Sequence, residues 1–460
     1  MEHVVEKNPL GTERIRKLLP GFVIPCAIAM LVNALYNIVD QIFIGQGVGP
    51  LGNGATTVAF PLTTISLALA LMMGQGGASK QNLELGAGNR ERSEQAVGNM
   101  LVLLAAAGLL LLVVGLFFLE PLLRFFGATP DNLPYAIEYT RIILWGLPFV
   151  VVATGFNNCI RADGSPRYAM GSMLTGAIIN TVLDPLFILG FKWGMAGAAY
   201  ATIIGQIVVC LLSLRYIPRF RHIRLDKSKF KVELPLCRQI VSLGVASFGN
   251  QISMAVVQIV LNNLMGYYGA LSVYGKDIPL ACVGIVIKVN MVFFSLIIGV
   301  AQGSQPLISY NYGAKKYDRV KETYKTAVFM ASVVAVCSFL LFQLFPRQII
   351  ALFGEGSAEY YEFAVKCFHI LLFATFVNGI QPVTTIFFTS IGRGLKGTFI
   401  ALTRQILLLL PLLLLFSRLW GIEGILYAMP VADFTAFLIA ILFVLWEFRN
   451  MNRLAATQTA

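Results

Sequence analysis

The sequence predicts an all-α integral membrane protein of twelve transmembrane helices, arranged as two six-helix lobes that repeat in parallel. Three observations predict it. Hydrophobic residues make up 57% of the 460-residue chain and charged residues only 13%, with a mean hydropathy of +0.75, which excludes an ordinary soluble domain. Apolar runs long enough to cross about 30 Å of hydrocarbon recur along the chain. The basic residues alternate between the connections that join those runs.

The runs fall at about 18–44, 54–82, 95–119, 132–160, 167–190, 194–217, 235–268, 278–310, 318–346, 357–390, 395–418 and 424–448. Twelve crossings put both termini on one side. The first run follows the acids Glu2, Glu6 and Glu13 and precedes no small-residue cleavage site, so it is expected to be a retained helix and not a signal peptide. The termini, Lys7 included, and the even-numbered connections hold most of the Lys and Arg, whereas the odd-numbered ones carry only Arg124, Lys192, Lys276, Arg347 and Arg418. The positive-inside rule then places the termini in the cytoplasm of a bacterial-type inner (plasma) membrane. The net charge of +12 is therefore topological, and calls for no nucleic-acid partner. Its densest stretch, 215–238, reads as a cytoplasmic linker held near anionic lipid. The expected organisation is an amino-terminal lobe over 1–214, a basic linker over 215–234 and a carboxy-terminal lobe over 235–460.

An internal repeat supports that division. Gln75-Gly76, followed by Gly86-Ala87, recurs as Gln302-Gly303 followed by Gly313-Ala314, an offset of 227. Gly194-x-x-Gly197-x-x-Tyr200-Ala201 recurs as Gly421-x-x-Gly424-x-x-Tyr427-Ala428 at the same offset. Two copies of an even number of crossings run in the same sense, which predicts a site between or within parallel repeats.

The candidate chemistry lies in the first half. Asn33, Tyr36, Asn37 and Asp40 share one stripe of the first helix, and a carboxylate in hydrocarbon must face protein or water. Asp184 sits at a similar depth on helix 5, with Asn180 one turn below it, and Tyr139 and Thr202 occupy the same outer third. Two carboxylates in a low-dielectric chamber favour a shared proton, which such a pair can exchange for a cation. In the alternative, hydrogen bonds from Asn, Thr and Tyr satisfy each acid and merely fix helix packing. The second half does not repeat the acids: Asp184 maps onto Pro411, and helix 7 offers Asn250, Gln251, Gln258 and Asn262. It carries instead Lys288, Arg404 and Asp433, for which a buried ion pair such as Arg404 with Asp433 is expected. Pro25, inside helix 1, is a candidate hinge.

No enzyme chemistry can be assembled. His3, His222 and His369 are far apart, and Cys26, Cys159, Cys210, Cys237, Cys282, Cys337 and Cys367 are scattered with no C-x-x-C, so neither a metal site nor an activated nucleophile is expected.

The run Asn33-Ala-Leu-Tyr-Asn-Ile-Val-Asp40-Gln-Ile-Phe-Ile-Gly45 with Pro25, together with Gly74-Gln-Gly76, Asn180-x-x-x-Asp184-Pro185 and Gly194-Met-Ala-Gly197, resembles the multidrug and toxic compound extrusion (MATE) transporters, in particular their DinF- and MepA-like branch. The resemblance spans all twelve runs. It implies a V-shaped bundle exporting amphipathic cationic drugs by proton antiport, or by sodium antiport through Asp40, Asn180, Asp184 and Thr202. It also implies bending at Pro25 and a share for Tyr139 in the pocket. The acids that the NorM-like branch carries on helices 7 and 10 are replaced here by Gln258, Asn378, Gln381, Thr384 and Thr385. The expected protein is thus a non-enzymatic, cofactor-free, monomeric exporter of small cationic drugs in the lipid bilayer. A lipid-linked saccharide flippase of the same superfamily is the alternative, and would require several basic residues in its chamber.

Overall fold

The computed structural model describes residues 8–275, 277–353 and 357–459; His3, Lys7 and Lys276 lie outside them. Twelve apolar helices account for most of these residues, and no strand occurs among them. In hydrocarbon every backbone N–H and C=O must be satisfied within its own segment, which leaves the helix as the solution for such runs. The first half comprises α1 (Ile15–Gly47), α2 (Pro50–Gly86), α3 (Arg90–Phe117), α4 (Leu133–Ala162), α5 (Pro166–Pro185, continued by a π turn to Gly190) and α6 (Gly194–Leu214). The second comprises α7 (Leu234–Ala270), α8 (Asp277–Gly313), α9 (Tyr317–Leu344), α10 (Ala358–Leu371 with Ile380–Ser390), α11 (394–420) and α12 (422–459).

The duplication is visible in backbone geometry. Gly194 and Gly421, one repeat apart, start α6 and α12 with φ of 56° and 61°. A side chain in that left-handed region costs about 1–2 kcal/mol, so glycine is kept at both turns. Gly88 and Lys315, also 227 apart, share positive φ at the ends of α2 and α8.

One span departs from its expected continuity. The run 357–390 is broken by a tight 3-10 turn at Phe373–Val377. Pro382 has no N–H for the carbonyl of residue 378, and its ring would collide with that carbonyl in a continuous helix. Gly379 meanwhile packs so tightly on α9 that a Cβ there would sit 2.8 Å from the Ala331 carbonyl carbon. The break presents Asn378, whose Nδ2 donates to Asp433 Oδ2 at 2.8 Å. Arg404, in a π-helical stretch of α11, donates from Nε to Asp433 Oδ1 at 2.6 Å. The pair is nearly enclosed, with side chains 12% and 5% exposed. Asp433→Leu should therefore destabilise the protein by about 3–5 kcal/mol by leaving a buried guanidinium uncompensated, whereas Arg404→Met with Asp433→Leu should recover most of the loss. Denaturation midpoints of the purified variants in detergent test this.

The two halves meet through α1, α2, α7 and α8 on the face that carries both termini. A Cβ on Gly76 would lie 2.0 Å from the Ile240 carbonyl oxygen, and one on Gly244 1.7 Å from that of Met72. Across the pseudo-twofold axis, Gly299 abuts Ala27 and Gly303 abuts Val23, either side of Pro25. Gly86 and Gly313 complete the set, each 2.1 Å in the same sense from a carbonyl oxygen, of Tyr310 and Leu83 respectively. Both pairs of positions are 227 apart, so the two contacts are one contact made twice. Polar ties cross the same seam: Gln305 Nε2 donates to the Gln75 carbonyl (3.0 Å) and to Ser79 Oγ (2.9 Å).

The segment between α6 and α7 is not a loose tether. Asp163, fully buried at the end of α4, accepts from Tyr216 Oη (2.7 Å) and from the backbone N–H of Arg221 (2.8 Å) and His222 (3.2 Å). Burial pushes its carboxyl above the ordinary range, and those donors oppose the shift. Glu94 accepts from the Arg224 N–H (2.9 Å) and pairs with Lys229 (3.3 Å), while Asn99 accepts from the Glu233 N–H (2.8 Å). The basic residues expected at the lipid surface are thus partly engaged by first-half acids. Asp163→Ala removes an acceptor from three donors at about 1–3 kcal/mol each. Tryptic cleavage between Arg221 and Lys231 should accelerate at least tenfold in that variant; unchanged cleavage would mean that Asp163 does not hold the α6–α7 segment.

Candidate functional site

A cavity of about 310 Å³ opens between the halves, beyond the glycine seam. Its first-half wall is drawn from α1, α2, α4, α5 and α6, including Asn33, Tyr36, Asn157, Arg161, Asn180 and Thr202. The second half contributes Asn250, Met254, Phe294 and Gln302 among others. Most of the exposed wall is apolar, which suits a planar, greasy ligand, with polar groups at a few points to orient it.

The two acids stand together at one end. Asp40 and Asp184 lie within mutual hydrogen-bonding reach. Asp184 is fully buried, and Asn180 Nδ2 donates both to its Oδ1 (3.2 Å) and to Thr202 Oγ1 (3.4 Å). Thr202 passes its own proton to the Ala198 carbonyl at 3.0 Å, as hydroxyls on helices commonly do. Tyr36 and Tyr139 are close enough to sense both carboxylates. Asp40 Oδ1, Asp184 Oδ2 and Asn180 Oδ1 are buried without a partner. Orphaned oxygens on neighbouring residues in low dielectric call for a positive partner: the cluster can take up a proton, or accept a small hard cation on oxygen ligands alone.

Several residues sit otherwise than the sequence suggested. Asp40 and Asp184 are not on the wall of the large cavity but lie beyond its Asn180 end, where Asn180 bonds to both Asp184 and Thr202. Asn37 is exposed and donates Nδ2 to the Asn33 carbonyl at 2.6 Å, so it turns away from the pocket it was expected to shape. Its amide is spent on the backbone of its own helix, four residues back, as the short polar side chains of helices can do. Tyr139 is buried in the apolar core of the half, beside the acids. Pro25 is buried at the seam, and α1 runs through it without a break.

The sequence reading missed Arg161, Asn157 and Gln302. Arg161 counts as a topological charge at the end of helix 4, yet it lines the floor of the cavity and is only 4% exposed. The available signal was the spacing of Asn157, Asn158 and Arg161, a polar turn on an apolar helix.

The fold and this site define a multi-pass membrane transporter with a central chamber between two repeated halves. The MatE family model matches residues 25–186 and again 246–415, one block in each half, and the chain belongs to that family. Among its relatives is the multidrug export protein MepA of Staphylococcus aureus (strain MRSA252), 25% identical over 441 residues that cover 95% of this chain and 94% of MepA. The MATE multidrug transporter DinF-BH, solved as a ligand complex, is 34% identical, with a TM-score of 0.88 over 96% of this chain and 97% of its own. A crystal structure of MATE in complex with MaD3S superposes with a TM-score of 0.90 at 23% identity, covering 97% and 98% of the two chains.

Proposed function

We propose that this chain exports amphipathic cationic drugs from the cytoplasm across a bacterial inner membrane, exchanging them for protons at Asp40 and Asp184. The multidrug export named for its MepA relatives and for DinF-BH supports the class of substrate. The observation that carries the mechanism is the approach of the half-buried Asp40 to the fully buried Asp184, beyond the Asn180 end of a largely apolar cavity. Entry of a proton between them discharges the anionic end of the chamber and releases a cation; its departure restores the attraction. One proton moving down one pH unit supplies about 1.4 kcal/mol, and a 100 mV potential supplies about 2.3 kcal/mol per charge. These suffice to concentrate a cationic drug outside. Sodium on Asp40, Asn180, Asp184 and Thr202 is the competing coupling ion, since all four offer oxygen.

In this reading the termini are cytoplasmic, the seam of α1, α2, α7 and α8 closes the cytoplasmic side, and the chain acts as a monomer of two lobes, 1–214 and 235–460, joined by the linker at 215–234. Asn33, Tyr36, Asn180 and Thr202 shape the pocket, Tyr139 supports it from behind, and Pro25 lets α1 bend. A lipid-linked saccharide flippase would need several basic residues for a diphosphate, and the wall described here includes one, Arg161. The test is drug efflux from proteoliposomes with imposed gradients. A pH gradient should drive export without sodium; export driven by sodium alone would reassign the coupling ion, and none under either gradient would reject the reading.

A further inference from the structure

We propose that the floor of the cavity is an anion-recognition subsite centred on Arg161, and that the preferred substrates are amphipathic zwitterions whose carboxylate docks there while their cationic amine points to Asp40 and Asp184. The proposal rests on the export reading above and narrows its substrate class.

Arg161 differs from the other buried cation described here. Arg404 is neutralised by Asp433, whereas no carboxylate among the described residues lies within ion-pair distance of Arg161. The nearest acid along the chain, Asp163, is already engaged by Tyr216, Arg221 and His222. The guanidinium donates to Asn158 Oδ1 at 2.6 Å, a neutral partner that leaves its charge uncompensated. Isolated buried charges are costly and persist where a ligand completes them. A second donor stands one turn away. Asn157, 1% exposed, uses its Oδ1 to accept from Ser172 Oγ at 3.1 Å and leaves its Nδ2 buried without a partner. Both residues line the cavity. A planar fork beside an idle amide N–H is the donor set a carboxylate takes.

Spacing sets the direction of the ligand. A helical side chain leans towards the start of its helix, as the bond to Asn158 shows, so the guanidinium stands level with Asn157 and Ser172. From Ser172 to Asn180 is about 12 Å along α5, and to Asp184 about 18 Å. A zwitterion whose carboxylate docks at the floor therefore directs its cationic end along that interval, towards the acids.

The experiment uses the purified full-length protein in nanodiscs and a matched pair of dyes: rhodamine 123, a cationic methyl ester, and rhodamine 110, the corresponding free acid. Arg161→Gln should weaken rhodamine 110 about 10–100-fold and change rhodamine 123 by less than about twofold, as loss of a charge-assisted contact requires. Arg161→Lys should retain part of the preference. Equal loss of both dyes, or of neither, would overturn the subsite. The wild-type protein supplies a measurement that depends on no variant: benzoate should compete with rhodamine 110 and leave rhodamine 123 unaffected. Benzoate that instead strengthens rhodamine 123 would identify a free anion as the occupant and reject the zwitterion. If the wild type binds neither dye, the export reading fails and the subsite with it; if it binds both and Arg161→Gln does not separate them, the subsite alone fails.

Discussion

Asp40→Asn and Asp184→Asn, each alone, are expected to reduce pH-driven drug efflux from proteoliposomes at least twentyfold, to the level of empty vesicles. Asparagine keeps the size and the hydrogen-bonding reach of the side chain but cannot bind and release a proton. Each substitution also removes one of the two charges whose mutual repulsion makes a shared proton favourable. Helix packing should survive, because Asn180 can still bond to the amide that replaces Asp184 and the variants keep their volume. Thermal midpoints within a few degrees of wild type would show this. Full pH-driven efflux by the double variant would exclude these acids from coupling, whatever the fate of the fold.

Gly76→Val and Gly303→Val are expected to abolish active export while leaving drug binding within a fewfold of wild type. The new Cβ would meet backbone of the opposite half, the Ile240 carbonyl oxygen at 2.0 Å in one case and Val23 Cα at 2.7 Å in the other. Backbone in a packed helix cannot rotate aside as a side chain tip can, so the seam must open. Cys26, 1% exposed beside Ala27 on the same seam, reports the opening. In a variant with the other six cysteines replaced by Ser, an impermeant maleimide applied to the terminal face should label Cys26 at least tenfold faster when either glycine is substituted. Unchanged labelling with normal export would show that the seam yields without cost.

Much of the frame was legible because its causes are local. Hydrophobic runs, loop charges and repeated glycine spacings each follow from bilayer thickness, insertion and close packing, all of which act along the chain. Asp40 and Asp184 stood out because a carboxylate in an apolar run is conspicuous wherever its partner lies. Arg161 did not stand out. It lies at a helix end where arginine is ordinary, and only the fold shows that the helix end borders a chamber. The anchoring of the α6–α7 segment was hidden for a related reason: nothing in the run of basic residues from Arg215 to Lys231 reveals that its backbone is held by the acceptors Asp163 and Glu94 and by the donor Asn99, since these come from α3 and the end of α4. The break in α10 could have been anticipated from Gly379 and Pro382, which were subsumed in a long apolar stretch. Asn37 shows the limit of polar-stripe reasoning, because a side chain on the right face can still bond to its own helix backbone in place of the pocket.

The paired approach of Gly86 to Tyr310 and Gly313 to Leu83 has a genealogical corollary. Two identical six-helix subunits, inserted in the same orientation and related by a dyad, would make that contact twice with one set of residues. The fused protein therefore inherits an interface that a homodimer could have invented, and fusion released each copy from the need to match the other elsewhere. That freedom is what allows the acids to persist in one copy while the other carries proline at the position equivalent to Asp184.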